Sequence, residues 1–215
     1  MLEPLPYQRA MVEYLRRQEA AIWDSFASQR ARQEEADAVR FDLLQSTYRL
    51  DRQIEPRLYR IAEQAAARLA LQLPITIYQA HDPQGTNACL AYLPDEAHLV
   101  LHGDLAARLD EVELGALFGH ELSHWQLRQG WDGQYLVADQ VLAALANDSQ
   151  AQPAHFATAR RFRLHTEICC DRGACQAAHP PSLRRGSLRR PVAFPLRPGR
   201  APPRGQPLRP GDPHR

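Results

Sequence analysis

The stretch DEVELGALFGHELSHWQLRQG, residues 110–130, decides how this chain is read. Asp110, followed three residues later by Glu113, resembles a capping box, in which each side chain satisfies a backbone N–H that the helix start leaves orphaned. A helix is therefore expected from Glu111 to Arg128, ending before Gly130. Gly115 and Gly119 lie one turn apart inside it, each costing about 1 kcal/mol relative to alanine. Glycines kept at such a cost point to close approach of a neighbouring element. The flanking Leu117, Phe118, Leu122 and Trp125 make this helix largely buried.

On it stand His120 and His124, at i and i+4, one turn apart on one face. That separation lets both imidazoles reach a single Zn²⁺ at about 2.0–2.1 Å. Glu121 projects beside the metal, where it can take a proton from a water that the metal acidifies to a pKa of about 7. The plain alternative is a surface helix that happens to carry two histidines. Two histidines and a glutamate on a buried helix are costly to desolvate without a metal, which weighs against that alternative.

Zinc needs a third protein ligand and an open fourth position. In RLHTEICCDR, residues 163–172, Glu167 and Asp171 again stand at i and i+4 on an expected helix of residues 154–177. Glu167 is the candidate ligand, and Asp171 a hydrogen-bond partner fixing the tautomer of a ligand imidazole. An acidic pair one turn apart is also ordinary on a solvated face. His165 is a rival ligand, but three residues from Phe162 it reads better as a packed or surface histidine.

Working back from the central helix, residues 75–78 (ITIY), 88–93 and 98–102 have strand character, separated by a turn at residues 81–85 and a hairpin at 94–96. They make a small antiparallel sheet of about three strands. A helix runs from Pro56, well suited to a first turn, to Leu71, with Leu58, Ile61, Ala62, Ala65, Leu69 and Leu73 at helical spacing. Residues 6–50 read as a polar helical hairpin, with Val12, Leu15 and Glu19 on one face and Leu43, Leu44 and Thr47 on another. A further helix is expected over residues 134–146. The fold class is α+β: a mostly helical, zincin-like domain with a small antiparallel sheet beside the central helix. The segments are 1–55, a helical N-terminal part, 56–178, the domain proper, and 179–215, a tail.

These pieces together resemble the gluzincin metallopeptidases. The HELSH run, the later Glu167-x-x-x-Asp171-Arg172-x-Ala174 and the approach through Asn87-Ala88, Leu99-Val100-Leu101, Leu105 and residues 110–114 are similar to peptidase family forty-eight, the family of the CAAX prenyl endopeptidase and the heat-shock membrane protease. The resemblance covers roughly residues 56–178. It implies one zinc per chain, held by His120, His124 and Glu167, with Glu121 catalytic and Asp171 supporting. It also implies that Asn87, Ala88, Cys89 and Leu90 form an edge strand that pairs with an extended peptide or protein substrate through main-chain bonds. Family members usually continue well past the third ligand, whereas here the pattern runs to about Ala178.

Composition bounds the rest. The chain has 215 residues, 44% apolar and 24% charged, enough for one globular core. No run of about 18 apolar residues occurs, so no membrane span is expected, and the acidic, apolar-poor first residues are unlike a secretory signal. The expected location is cytoplasmic. Cys89, Cys169, Cys170 and Cys175 make no C-x-x-C pair and read as free thiols, with a cysteine zinc site a remote alternative.

The net charge of +1 hides an asymmetry. Residues 1–179 hold 17 Arg against 24 acidic residues, and residues 180–215 hold 9 Arg against Asp212 alone. There is no lysine, and ten of the 17 prolines fall in residues 180–215. That tail is expected to be disordered. It reads as a solvated extension, an anion-binding arm or, preferred here, an out-of-frame translation of a GC-rich gene. No aromatic platform accompanies the arginines, so a nucleic-acid partner is not expected. The function expected is zinc-dependent endopeptidase action, and the alternative is a catalytically inactive zinc-binding or partner-binding remnant of such a peptidase.

Overall fold

A computed structural model describes residues 2–81 and 85–178, all within one compact unit. The expected tail 179–215 lies outside the described residues, as do Asp82, Pro83 and Gln84 of the expected turn. The elements, in order, are α1 (Pro6–Gln18), α2 (Ala20–Ala27), α3 (Gln29–Ser46), β1 (Thr47–Arg49), α4 (Pro56–Arg68), β2 (Ile75–Ala80), β3 (Asn87–Tyr92), β4 (Ala97–His102), α5 (Leu105–Arg108), α6 (Glu111–Gln129), α7 (Gln134–Asn147) and α8 (Pro153–Ala178). The α+β, mostly helical class is what the sequence led us to expect.

The sheet differs in one respect. It has four strands in the order β1-β2-β4-β3, with β2 and β4 parallel and the outer pairs antiparallel. It is mixed, not antiparallel. The chain leaves β2, runs out to the edge as β3 and folds back as β4 into the middle. The reason is burial: Ala97, Leu99 and Leu101 of β4 are fully buried, so this strand needs cover on both faces and neighbours on both sides. β3 carries Asn87 and Tyr92 at its ends and takes the edge. The fourth strand, β1, comes from residues expected to be helical, where Thr47 and Tyr48 suit extended backbone.

The expected N-terminal hairpin is three helices. The path breaks at Glu19 and at Ser28, whose hydroxyl caps α3 by accepting from Ala31 N at 3.2 Å. Val12 and Leu15 are buried as expected, against a cluster that includes Val141 and Phe162. Of the α3 face, Leu43 is buried against Ala80 and Val100, but Leu44 is 82% exposed. α4 buries Leu58, Ile61, Ala62 and Ala65, and it ends earlier than Leu71 because Ala70 takes a left-handed φ of 57°. The bond from Leu71 N to Ala66 O at 2.9 Å closes that end in the manner usually reserved for glycine.

α6 is the hub. Asp110 Oδ1 accepts from Val112 N and Glu113 N, both at 2.8 Å, while Asp110 N donates to Glu113 Oε2 at 3.0 Å, so the capping box is formed. α8 lies directly against it. Gly119 faces Ala177, Gly173 and Ala174 so closely that a Cβ there would collide with the Ala177 methyl. Gly173 answers from α8, where a Cβ would strike Ser123. Gly115 has nothing nearer than Ile61 Cγ2 at 3.9 Å, so the close approach belongs to Gly119 alone of the two.

Candidate active site

Because Gly119 and Gly173 bring α6 and α8 together, side chains one step along each helix meet. His120 Nε2 lies 3.2 Å from His124 Nε2 and 3.2 Å from Glu167 Oε2, and His124 Nε2 lies 3.7 Å from Glu167 Oε1. Among the described residues, these three form the only cluster of His, Cys, Asp or Glu side chains able to share a metal ion. Tetrahedral ligands at about 2.0–2.1 Å from zinc stand roughly 3.3 Å from one another. The separations observed match that figure, and two imidazoles with a carboxylate are a donor set suited to zinc. The residues present therefore fit the metal. No cysteine belongs to the cluster.

His120 Nδ1 lies 3.0 Å from Asp171 Oδ1. An Nδ1–H donated to this carboxylate leaves the Nε2 lone pair turned toward His124 and Glu167, the tautomer a metal ligand requires. His120 is 7% exposed, and burial pushes its imidazole pKa down; Glu167, Glu121 and Asp171 outweigh this and hold it above the ordinary value. Burial likewise pushes Glu167 up, but the bond to His120 and the charge of His124 and His120 bring it below the ordinary carboxylate value. Both shifts say that the site is built around positive charge. A proton supplies one such charge and a divalent cation supplies two.

Glu121 is 9% exposed and turned away from the three donors, toward the sheet. Its Oε2 accepts from Leu90 N at 2.8 Å. Leu90 faces Leu99 across the β3–β4 ladder in a pair whose backbone groups point away from β4, so Ala88, Leu90 and Tyr92 present their N–H and C=O groups at the free edge. All four expected edge residues, Asn87, Ala88, Cys89 and Leu90, lie in β3. Cys89 turns its thiol to the other side, 3.6 Å from His102 Nε2.

Two residues of this arrangement were missed in the sequence. Trp125 Nε1 donates to Leu93 O at 2.9 Å, and Gln129 Oε1 accepts from Tyr92 OH at 2.7 Å. With Glu121 they make a stripe at i, i+4 and i+8 along α6 that fastens the helix to the edge strand. The four-residue spacing was legible, but the partner was not. His165 is no part of the cluster; it stacks on Tyr7 with ring centroids 4.6 Å apart.

No curated protein and no solved structure matches the chain. The family model described as Peptidase family M48 matches residues 50–169, more than half of the sequence, and spans β3, α6, His120, Glu121, His124 and Glu167. Asp171 falls two residues beyond it. The matched range holds the HELSH helix and the glutamate that completes its donor set, and on that ground the chain belongs to peptidase family M48.

Proposed function

We propose that the chain is a zinc-dependent metalloendopeptidase, with His120, His124 and Glu167 holding one Zn²⁺ and Glu121 acting as general base. The observation that carries this reading is the set of donor separations, 3.2, 3.2 and 3.7 Å, beside an independent buried carboxylate. Zinc in such a site supplies a Lewis acid that acidifies water and polarises a peptide carbonyl. Asp171 holds His120 in the Nδ1–H tautomer. Glu121 accepts the proton of the attacking water on one carboxylate oxygen and delivers it to the nitrogen of the departing amine.

The free edge at Asn87, Ala88, Cys89 and Leu90 receives an extended peptide or protein substrate by main-chain pairing. Leu90 N–H is the donor there that already holds Glu121. A substrate carbonyl that takes over this bond releases Glu121 Oε2 for proton transfer, so occupancy of the edge and freedom of the base are linked. Domain limits at residues 55 and 178 complete the reading. The four cysteines are all free, which accords with a cytoplasmic location.

The test is zinc content and turnover together. The purified chain is expected to carry one zinc and to cleave casein or a fluorogenic peptide, with cleavage abolished by 1,10-phenanthroline. Glu121→Gln should keep the zinc and the Leu90 bond yet lower kcat by about 10²–10⁴-fold. Retention of cleavage in Glu121→Gln, or a zinc-loaded chain that cuts no peptide, would sink the proposal.

A further inference from the structure

Residues 2–8 lie outside the stretch matched by the peptidase family model, yet they grip both helices of the site. Gln8 is fully buried. Its Oε1 accepts from Leu5 N at 3.0 Å, and its Nε2 donates to Thr166 Oγ1 at 3.1 Å. Thr166, which donates in turn to Phe162 O at 3.2 Å, immediately precedes Glu167. On α6, the buried Gln126 accepts from Leu2 N and donates to Leu69 O, both at 3.3 Å, two residues past His124.

The same short segment touches α8 at three further points. Tyr7 is held between His165, at 4.6 Å, and the Arg161 guanidinium, 4.9 Å from its ring centroid, and Cys169 Sγ lies 3.6 Å from Glu3 O. Positions 161, 165 and 169 form one stripe at i, i+4 and i+8. At about 100° per residue, Glu167 is turned roughly 160° from His165 and from Cys169. The segment thus clasps the side of α8 opposite to the one that presents the carboxylate.

We propose that residues 2–8 are a positioning strap, in which Gln8, acting through Thr166, and Gln126, acting through Leu2, hold α8 in register against α6 and so set the place of Glu167 relative to His120 and His124. Burial alone does not call for glutamine at these places, since an apolar side chain of similar length buries with no polar desolvation cost. A buried amide whose two ends must each find a partner tolerates one register, whereas an apolar side chain tolerates several. Sliding α8 against α6 would break the Gln8–Thr166 bond and move Glu167 out of reach of the histidines in the same step.

This inference rests on the metal reading above, and its test reads the metal environment directly. Co²⁺ is titrated into the full chain after chelator treatment, and its visible absorption and dissociation constant are recorded. Gln8→Met keeps the volume and removes the bond to Thr166; Thr166→Val removes it from the other side. Each is expected to change the intensity of the cobalt bands and to weaken Co²⁺ binding about tenfold, in the range that outer hydrogen-bond partners of metal ligands contribute. The double variant should lose no more than either single one. Val12→Ala, a cavity in the same helix with no link to Thr166, should lower the thermal midpoint and leave the cobalt spectrum unchanged. A spectrum and affinity equal to those of the unaltered chain in Gln8→Met and Thr166→Val would overturn the strap. If one of the two does not fold, the other decides. Failure of the unaltered chain to bind Co²⁺ at all would instead overturn the metal reading, and the strap with it.

Discussion

Replacing Gly119 with alanine separates packing from propensity. The added Cβ would stand well inside the roughly 3.5 Å at which two carbons touch, against the Ala177 methyl. Gly173 O at 3.3 Å and Ala174 Cα at 3.4 Å close the other ways out. A methyl on a helix backbone cannot swing aside, so α8 must move from α6 by about 1 Å or more at this point. Overpacking of this kind costs about 1–3 kcal/mol, against about 1 kcal/mol gained in helix propensity. The net expectation is a loss of about 1–2 kcal/mol in urea unfolding. The same displacement widens the 3.2 Å separation of His120 and Glu167, so zinc affinity should fall with stability. Gly115→Ala is the matched control: with its nearest neighbour at 3.9 Å, it should gain up to about 1 kcal/mol and bind zinc as before. Trimming the neighbour in Gly119→Ala/Ala177→Gly should restore much of the affinity. A Gly119→Ala chain as stable as Gly115→Ala, with unchanged zinc affinity, would refute the reasoning.

Further expectations concern charge, fastening and metal removal. Without metal, His120 is held above its ordinary 6.5 and Glu167 below its ordinary 4.5. The first contribution is complete below about pH 6.5 and is lost as pH rises through the higher folded value; the second is complete above about pH 4.5 and is lost as pH falls through the lower one. The chelated protein should therefore exceed chelated Glu167→Gln in thermal midpoint most clearly between about pH 4.5 and 6.5. A gap that widens toward pH 8 would contradict this. Trp125→Phe removes the bond to Leu93 O and should cost about 1 kcal/mol in denaturant unfolding, with KM raised more than kcat is lowered. An effect on kcat alone would show that this bond does not steady the edge strand. Restoring zinc to the chelated chain at about 1,000 times its Kd should stabilise it by about 4 kcal/mol, and no shift in midpoint would count against a site formed in the folded state.

The capping box, the glycines and the i, i+4 histidines of α6 were legible because each depends on residues within one or two helical turns. Glu167 was harder, since its spacing to Asp171 is common on solvated helices. Nothing local says that residue 167 lies beside residue 120. Gly173 is the physical reason that it does, and its partnership with Ser123 belongs to the packing of two helices 50 positions apart in sequence. The parallel pairing of β2 with β4 escaped for a similar reason. Alternation marks a strand but does not say which neighbour it takes, and β4 won the centre by being buried on both faces. The same limit hid Trp125, Gln129 and Gln8, whose roles lie in the carbonyl, hydroxyl or side chain that each one meets. The sequence by itself determined the helix that bears the histidines, the catalytic glutamate beside them and the likeness to a peptidase family, because helix periodicity and capping act over short distances. The tertiary structure alone decided which carboxylate completes the donor set, which strand offers its edge and which buried amides hold the two helices in register, because those choices rest on close packing between distant segments.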